Sequence, residues 1–283
     1  MPLFSVNSFF FGRFLVSLPF VDYGGICSDD LESTVLLLEA AARLLRETRA
    51  ESVELRHQYM TLPNLPTRTN KVNVILPLPG DSETAWHNFP PEIRNRVRKA
   101  QKAGLTFEVG GLELLGDFYR VFSQCWRDMG TPVYPRSFFQ AFRATFDCSE
   151  VFVVRSGGKP IAGAIATYFR DMIEIPWPCS LRAYRDQCHN NLLYWEAVHR
   201  GCERGCKSFH FGRSSKGSGA YTFKSRWGGQ DQQLHYQFIL PEGGELPDLD
   251  SNSSKYKTLV SAWSRLPLWL ANRLGPHIVR GIP

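Results

Sequence analysis

LLLEAAARLLRETRAESVEL, residues 36–55, and LLYWEAVHRGCERGCKSFHF, residues 192–211, are two versions of one segment, and that duplication decides how the chain is built. Glu39 and Glu196 stand 157 positions apart and Ser52 and Ser208 stand 156 apart, so one single-residue deletion keeps the copies in register. Outward from the segment, VSLPF at 16–20 matches IEIPW at 173–177, and Pro19 and Pro176 are again 157 apart. Each reads as a short strand closed by proline and an aromatic residue. Three matches in one order point to a duplicated domain.

Each copy reads strand, helix, strand. The first helix is expected over Asp30–Arg49, with Asp30 as cap and Leu37, Ala41, Leu44 and Leu45 on one stripe. The second is expected over Asn190–Arg204, with Asn190 as cap and Gly205 as stop. Strands Ser52–Arg56 and Ser208–Phe211 follow them. Helices between such strands predict an α/β (α+β) layer fold with mixed sheets.

Upstream of IEIPW, a strand pair is expected at Val151–Arg155 and Pro160–Phe169, turned at Gly157–Gly158. Before it come helices at Leu112–Met129, Arg136–Phe146 and Ile93–Ala103, and a strand at Val72–Leu76. Shifted back by the repeat offset, nearly all of these fall before residue 1, so the first copy is expected to be incomplete at its N-terminus. Met60–Thr69, with Pro63 and Pro66, is the expected crossing. The division is then 1–69 for a partial first domain, 70–245 for the second and 246–283 for a tail.

Composition narrows the function classes. Of 283 residues, 43% are apolar and 13% aromatic, which excludes a disordered chain. A net charge of +6 favours acidic ligands such as phosphates, RNA or membrane headgroups. Seven cysteines, an odd number in a long chain, fit a reducing, cytoplasmic compartment. The apolar start MPLFSVNSFFFGRFLVSLPFV is interrupted by Arg13 and Pro19 and reads as strands rather than as a leader or anchor.

The chemistry-bearing stretch is FHFGRSSKGSGAYTFKSRWGG, residues 209–229, where glycines and hydroxyl side chains stand among Arg213, Lys216, Lys224 and Arg226. It reads as an anion-binding loop, with an ordinary glycine-rich loop as the alternative. It is not a P-loop, because Ser218 stands where lysine should follow Gly217. Nor is it a dinucleotide fingerprint, because Thr222 replaces the third glycine. On the helix at 91–103, Ile93, Val97 and Ala100 face inward and Arg94, Arg96, Arg98, Lys99 and Lys102 cover the rest. That surface is either a solvated face or a contact for phosphate or nucleic acid. His199, Cys202, Cys206 and His210 suggest zinc only superficially: the other copy has Ala42, Leu45, Thr48 or Arg49, and Glu54 thereabouts, so the scaffold needs no metal there and none is expected. No nucleophilic triad can be located.

The run FGRS…GSG…FK…WGG, with LPFVDYGG at 18–25 and GTPVYPRSFF at 130–139, resembles the FemAB-like proteins associated with PEP-CTERM/exosortase systems. These stand within the FemAB peptidoglycan-bridge aminoacyltransferases of the GNAT superfamily. The resemblance implies tandem GNAT-like domains and transfer of an acyl or aminoacyl group to an amine. It implies acyl-CoA or aminoacyl-tRNA as co-substrate, no tightly bound cofactor, and an amino-sugar or peptide acceptor in a cell-envelope or exopolysaccharide precursor, lipid-linked in bridge-forming relatives. Phe223-Lys224 followed by Trp227-Gly228 matches the family signature, which makes Lys224 the expected catalytic residue. Arg213 and Ser214 match its Gly-Arg-Ser element. With Lys216, Gly217, Gly219, Tyr194, Arg94, Arg98 and Lys99 they form the expected binding set. His210 departs from the subgroup, which has aspartate there. A non-catalytic anion-, RNA- or precursor-binding protein is the alternative function.

The last stretch, KYKTLVSAWSRLPLWLANRLGPHIVRGIP at 255–283, interleaves basic residues with Trp263 and Trp269, and no acid follows Asp250. Pro267 and Pro276 prevent it from spanning a bilayer. Two readings stand: a segment lying at the cytoplasmic membrane face, or helix packing both tryptophans against the domain.

Overall fold

In the computed structural model, which describes residues 1–8, 12–247 and 254–282, the repeated segment builds the same parallel unit twice. β1 (Phe4–Ser8) and β2 (Gly12–Val16) are antiparallel, α1 (Leu31–Thr48) crosses over, and β3 (Ser52–His57) returns parallel to β2. β4 (Thr67–Arg68) ends this part, and β5 (Lys71–Pro77) opens the second sheet. There follow α2 (Ser82–Asn88), α3 (Pro91–Lys102), β6 (Thr106–Gly110), α4 (Leu115–Asp128) and α5 (Arg136–Thr145). β7 (Ser149–Ser156) and β8 (Lys159–Phe169) form the expected hairpin, turned by Gly157 and Gly158 at φ 55° and 79°. β9 (Met172–Glu174), β10 (Cys179–Ser180) and a 3-10 turn over Arg182–Gln187 lead into α6 (His189–Glu203). β11 (Ser208–Ser215) then returns parallel to β9. After it come α7 (Gly219–Ser225), β12 (Gln230–Gln233), β13 (His235–Ile239), α8 (Ser254–Ser264) and α9 (Leu268–Val279).

Relative to the sequence repeat, in which Glu174 aligns with Ser17, the two parallel pairs differ in register by one residue. Val16 stands opposite Glu54 in the first, and Glu174 opposite His210 in the second. α1 starts as its sequence directs: the Asp30 side chain accepts from Ser33 N–H at 2.6 Å, and Ala41 and Leu45 are buried against the sheet. Leu44, expected on that stripe, is instead exposed. α6 starts differently from expectation. Asn190 is already inside the helix and Cys188, in the left-handed region, is its cap. The 3-10 turn runs directly into α6, so no extended residue precedes it to carry a side-chain cap.

The first sheet has the order β1-β2-β3-β13-β4 and the second β12-β5-β11-β9-β8-β7-β6, with β10 on β8. β13, expected to close the second domain, belongs to the first sheet, where His235 pairs with His57 and Ile239 with Val53. β3 is buried along its whole length and needs a partner on each side, β2 on one and β13 on the other. The chain therefore returns to its first sheet after completing the second.

Strand alternation gives the second sheet two apolar faces. Phe152 and Val154 face α2, α3 and α6, whereas Val151 and Val153 face α4 and α5, with Phe118, Phe122 and Phe139 between. Burying each such ring contributes about 1.5–3 kcal/mol. The C-terminal helices pack on α4: Trp263 Nε1 donates to the Thr131 carbonyl at 3.1 Å, and Arg127 Nη1 donates to that of Leu266 at 2.7 Å. Trp269 does not pack and is 68% exposed, so the inward reading holds for one tryptophan and not the other. Among the described residues, no helix is long and apolar enough to cross a membrane.

Candidate active site between the two sheets

β9 and β11 run together only briefly. Their last link is Ile175 N–H to the His210 carbonyl at 3.5 Å, after which β9 ends and β11 continues against β5 alone. A bulge lies between His210 and Arg213, with Gly212 at φ 76°, a conformation other residues rarely adopt. Phe209 and Phe211 face α6, so His210 between them faces the first unit. Ile173 and Ile175 likewise leave Glu174 on that side, and Val74 does the same for Asn73 of β5.

Ionisable side chains converge where the strands part. His210 Nδ1 lies 2.9 Å from Glu174 Oε1 and 3.1 Å from the Gly212 N–H. The imidazole can accept from Gly212 when neutral and donate to Glu174 when protonated. The first unit brings Asp22, whose Oδ2 accepts from Arg213 N–H at 2.7 Å and whose Oδ1 lies 3.4 Å from Arg213 Nε. Tyr236 of β13 accepts from Arg213 Nη1 at 2.8 Å and donates to the Asp22 carbonyl at 2.6 Å. Lys224, on α7, donates to the carbonyls of Gly212 and Arg213 at 2.9 and 3.0 Å. Burial pushes its ammonium down to about 8, with Asp22 and Glu174 opposing and Arg213 reinforcing the drop. Tyr23 stands edge-on to His210, and burial plus the Glu174 charge push its phenol up, so it stays a hydroxyl.

Among the described residues, buried polar atoms beside this cluster have no partner: His210 Nε2 and both amide atoms of Asn73, which lies opposite Arg213. Such groups cost about 1–3 kcal/mol each when left unmatched, so they point to a site that receives water or a polar ligand. By ligand type, Asp22, Glu174 and His210, with donor atoms within 4.8 Å of one another, are the set that could hold a metal. Arg213 and Lys224 already bring positive charge there, which favours proton handling over cation binding.

The expected anion loop is divided. Residues 209–215 are strand, Gly217 makes a tight turn at φ 79°, and 219–225 are helix capped by Ser218 Oγ on Tyr221 N–H at 3.1 Å. Arg213 and Lys224 turn inward and are occupied by Asp22, Tyr236 and backbone carbonyls rather than offered to a phosphate. Ser214 is buried with its hydroxyl unpartnered. Gly217, Gly219 and Lys216 lie at the open turn, Lys216 reaching Gln233 at 3.4 Å. Tyr194 is a core residue, stacked on Phe211 at 5.4 Å and out of reach of a ligand. Arg94, Arg98 and Lys99 sit on α3, which packs on α6 across the sheet from the cluster; Arg98 lies over Trp86 at 5.4 Å. The imagined zinc set also separates, because α6 carries His199 and Cys202 on the face opposite His210.

Asp22, Glu174, Tyr236 and Asn73 were not singled out from sequence. A signal for Glu174 and His210 was present in the repeat: their counterparts are Ser17 and Glu54, and Glu54 pairs with Arg56 at 2.7 Å in a buried structural bridge. Charge differs between the copies where the strands part.

Residues 88–225 match the family model described as acetyltransferase (GNAT) domain, a stretch running from the start of α3 through α7. No curated protein matches the chain by sequence. Among solved structures, FemX is similar with a TM-score of 0.61 at 14% identity, over 86% of this chain and 89% of that one. The C-terminal domain (DUF2156) of a putative lysylphosphatidylglycerol synthetase from Agrobacterium fabrum gives 0.59 at 15%, over 86% and 82%. L-PGS from Bacillus licheniformis gives 0.58 at 14%, over 92% and 84%. At such identities the likeness is one of fold, and the chain has the mixed α/β, tandem GNAT-like fold of these structures.

Proposed function

We propose that the chain moves an acyl or aminoacyl group from a CoA thioester or an aminoacyl-tRNA to an amine, in the cleft where β9 and β11 part. The observation that carries this reading is the Glu174–His210 pair set beside Lys224 and closed by Asp22. In the reaction, the amine nitrogen bonds to the acyl carbon and the thioester or ester bond to the donor breaks. The amine gives up one proton, and the departing thiolate or alkoxide takes one up.

Glu174, with 20% of its side chain exposed, is the base that meets the acceptor, and wholly buried His210 stands behind it. His210 Nδ1, against the carboxylate and the Gly212 N–H, keeps Glu174 in position. Arg213 and Lys224 supply the positive field in which the carbonyl oxyanion develops. No covalent enzyme intermediate is needed. The matched GNAT domain supports the CoA donor, and the name lysylphosphatidylglycerol synthetase of one neighbour keeps the aminoacyl donor in view. An amino-sugar or peptide amine of an envelope precursor, and a place in PEP-CTERM/exosortase systems, rest on the FemAB resemblance alone. Incubating the chain with labelled acetyl-CoA or labelled aminoacyl-tRNA and such amines tests the reading. Label entering a stable amide from one donor is expected, and no transfer from either would contradict it.

A further inference from the structure

The outer side of α9 takes no part in the cleft. The helix buries Ala271, Gly275 and Val279, one stripe spaced by fours, and Gly275 lies so close to Val133 that a Cβ would come within 2.8 Å. At 3.6 residues per turn, the opposite stripe is Trp269, Arg273, His277 and Arg280, all exposed. Leu274 flanks that stripe and is exposed, as are Lys257 and Leu259 on α8 and Arg265 after it. No acid occurs beyond Asp250. Among the described residues, Lys257, Arg265, Arg273 and Arg280 enter no ion pair, unlike Arg155 and Arg200 elsewhere on the domain.

We propose that this face docks the protein on an anionic lipid surface, with Trp269 at headgroup depth and Arg273 and Arg280 among the phosphates. An exposed indole in a cationic stripe meets both demands of such a boundary, apolar contact and charge attraction. Exposed Leu274 beside it suits lipid better than base stacking. Docking is independent of the transfer reading and needs none of the residues in the cleft.

The test is cosedimentation of the full chain with vesicles of phosphatidylcholine, with and without phosphatidylglycerol. Binding is expected only to the anionic vesicles and should weaken with salt. Arg273→Glu with Arg280→Glu should lower the partition coefficient by at least about tenfold. Trp269→Ala should lower it about threefold or more. These side chains are exposed, and Arg273→Gln with Arg280→Gln serves as the milder pair if charge reversal disturbs folding. No anionic-vesicle binding, undiminished binding by the arginine variants, or retention of polyuridylate in place of vesicles would overturn the proposal.

Discussion

Lys224 is a cation that the fold holds away from water. Its ammonium has left solvent for two backbone carbonyls, and burial holds its pKa near about 8 against about 10.4 in an unfolded chain. Between those values the unfolded chain binds more protons, so stability rises with pH across that window. The penalty of burying the charge is fully present below about pH 8. Lys224→Met buries no charge but leaves both carbonyls without their donor. Urea unfolding at pH 7 and at about pH 10 should therefore show the balance shifting toward the wild type at the higher pH. The same titration governs activity: transfer by the wild type should decline as pH rises through about 8. The variant should be slower by more than about tenfold and lack that limb. A wild-type profile flat through that range would remove Lys224 from the oxyanion's field. The lysine was legible in the sequence as a cation near the chemistry. That its charge is committed to Gly212 and Arg213 was not, because the bulge that turns those carbonyls toward it depends on tertiary pairing with β5.

At the scale of elements, the repeat carried most of the legible information, since a parallel strand pair recurs wherever strand, helix and strand recur, with its register shifted by one residue. The stretch 209–229 misled because glycine content reports permitted dihedrals, not which segments are loops. Gly212 serves a bulge and Gly217 a turn, and strand and helix occupy the remainder. The division at 70–245 placed β13 with the second domain for another reason: position along the chain does not say which sheet a strand will join. α3 was read correctly as basic on one side, yet it lies across the second sheet from the cleft. That placement separates the two donor classes. Arg98 and Lys99 lie beyond that sheet from the cluster, so they are expected to bear on a donor large enough to reach both faces, as a tRNA is. Arg98→Glu with Lys99→Glu should leave turnover with acyl-CoA within about twofold. With aminoacyl-tRNA the same pair should weaken donor affinity and reduce its salt slope by about two. An unchanged slope would mean that this face is merely solvated.

For the whole molecule, the halves are not independent modules. The first unit lends Asp22 to the cleft, β13 returns from the second unit to the first sheet and brings Tyr236, and Arg213 ties both to β11. A binding surface would need only the basic groups. A proton-handling cleft needs Glu174 held by His210 at the point where β9 and β11 separate, with the first unit closing over it. The most direct measurement is therefore the single-turnover rate of acyl transfer at saturating donor, for the wild type and for Glu174→Gln, with donor affinity measured alongside. Glutamine keeps the size of the side chain and cannot take a proton. The account predicts a rate lower by about a hundredfold, with donor affinity unchanged. A folded Glu174→Gln protein that transfers at the wild-type rate would contradict it.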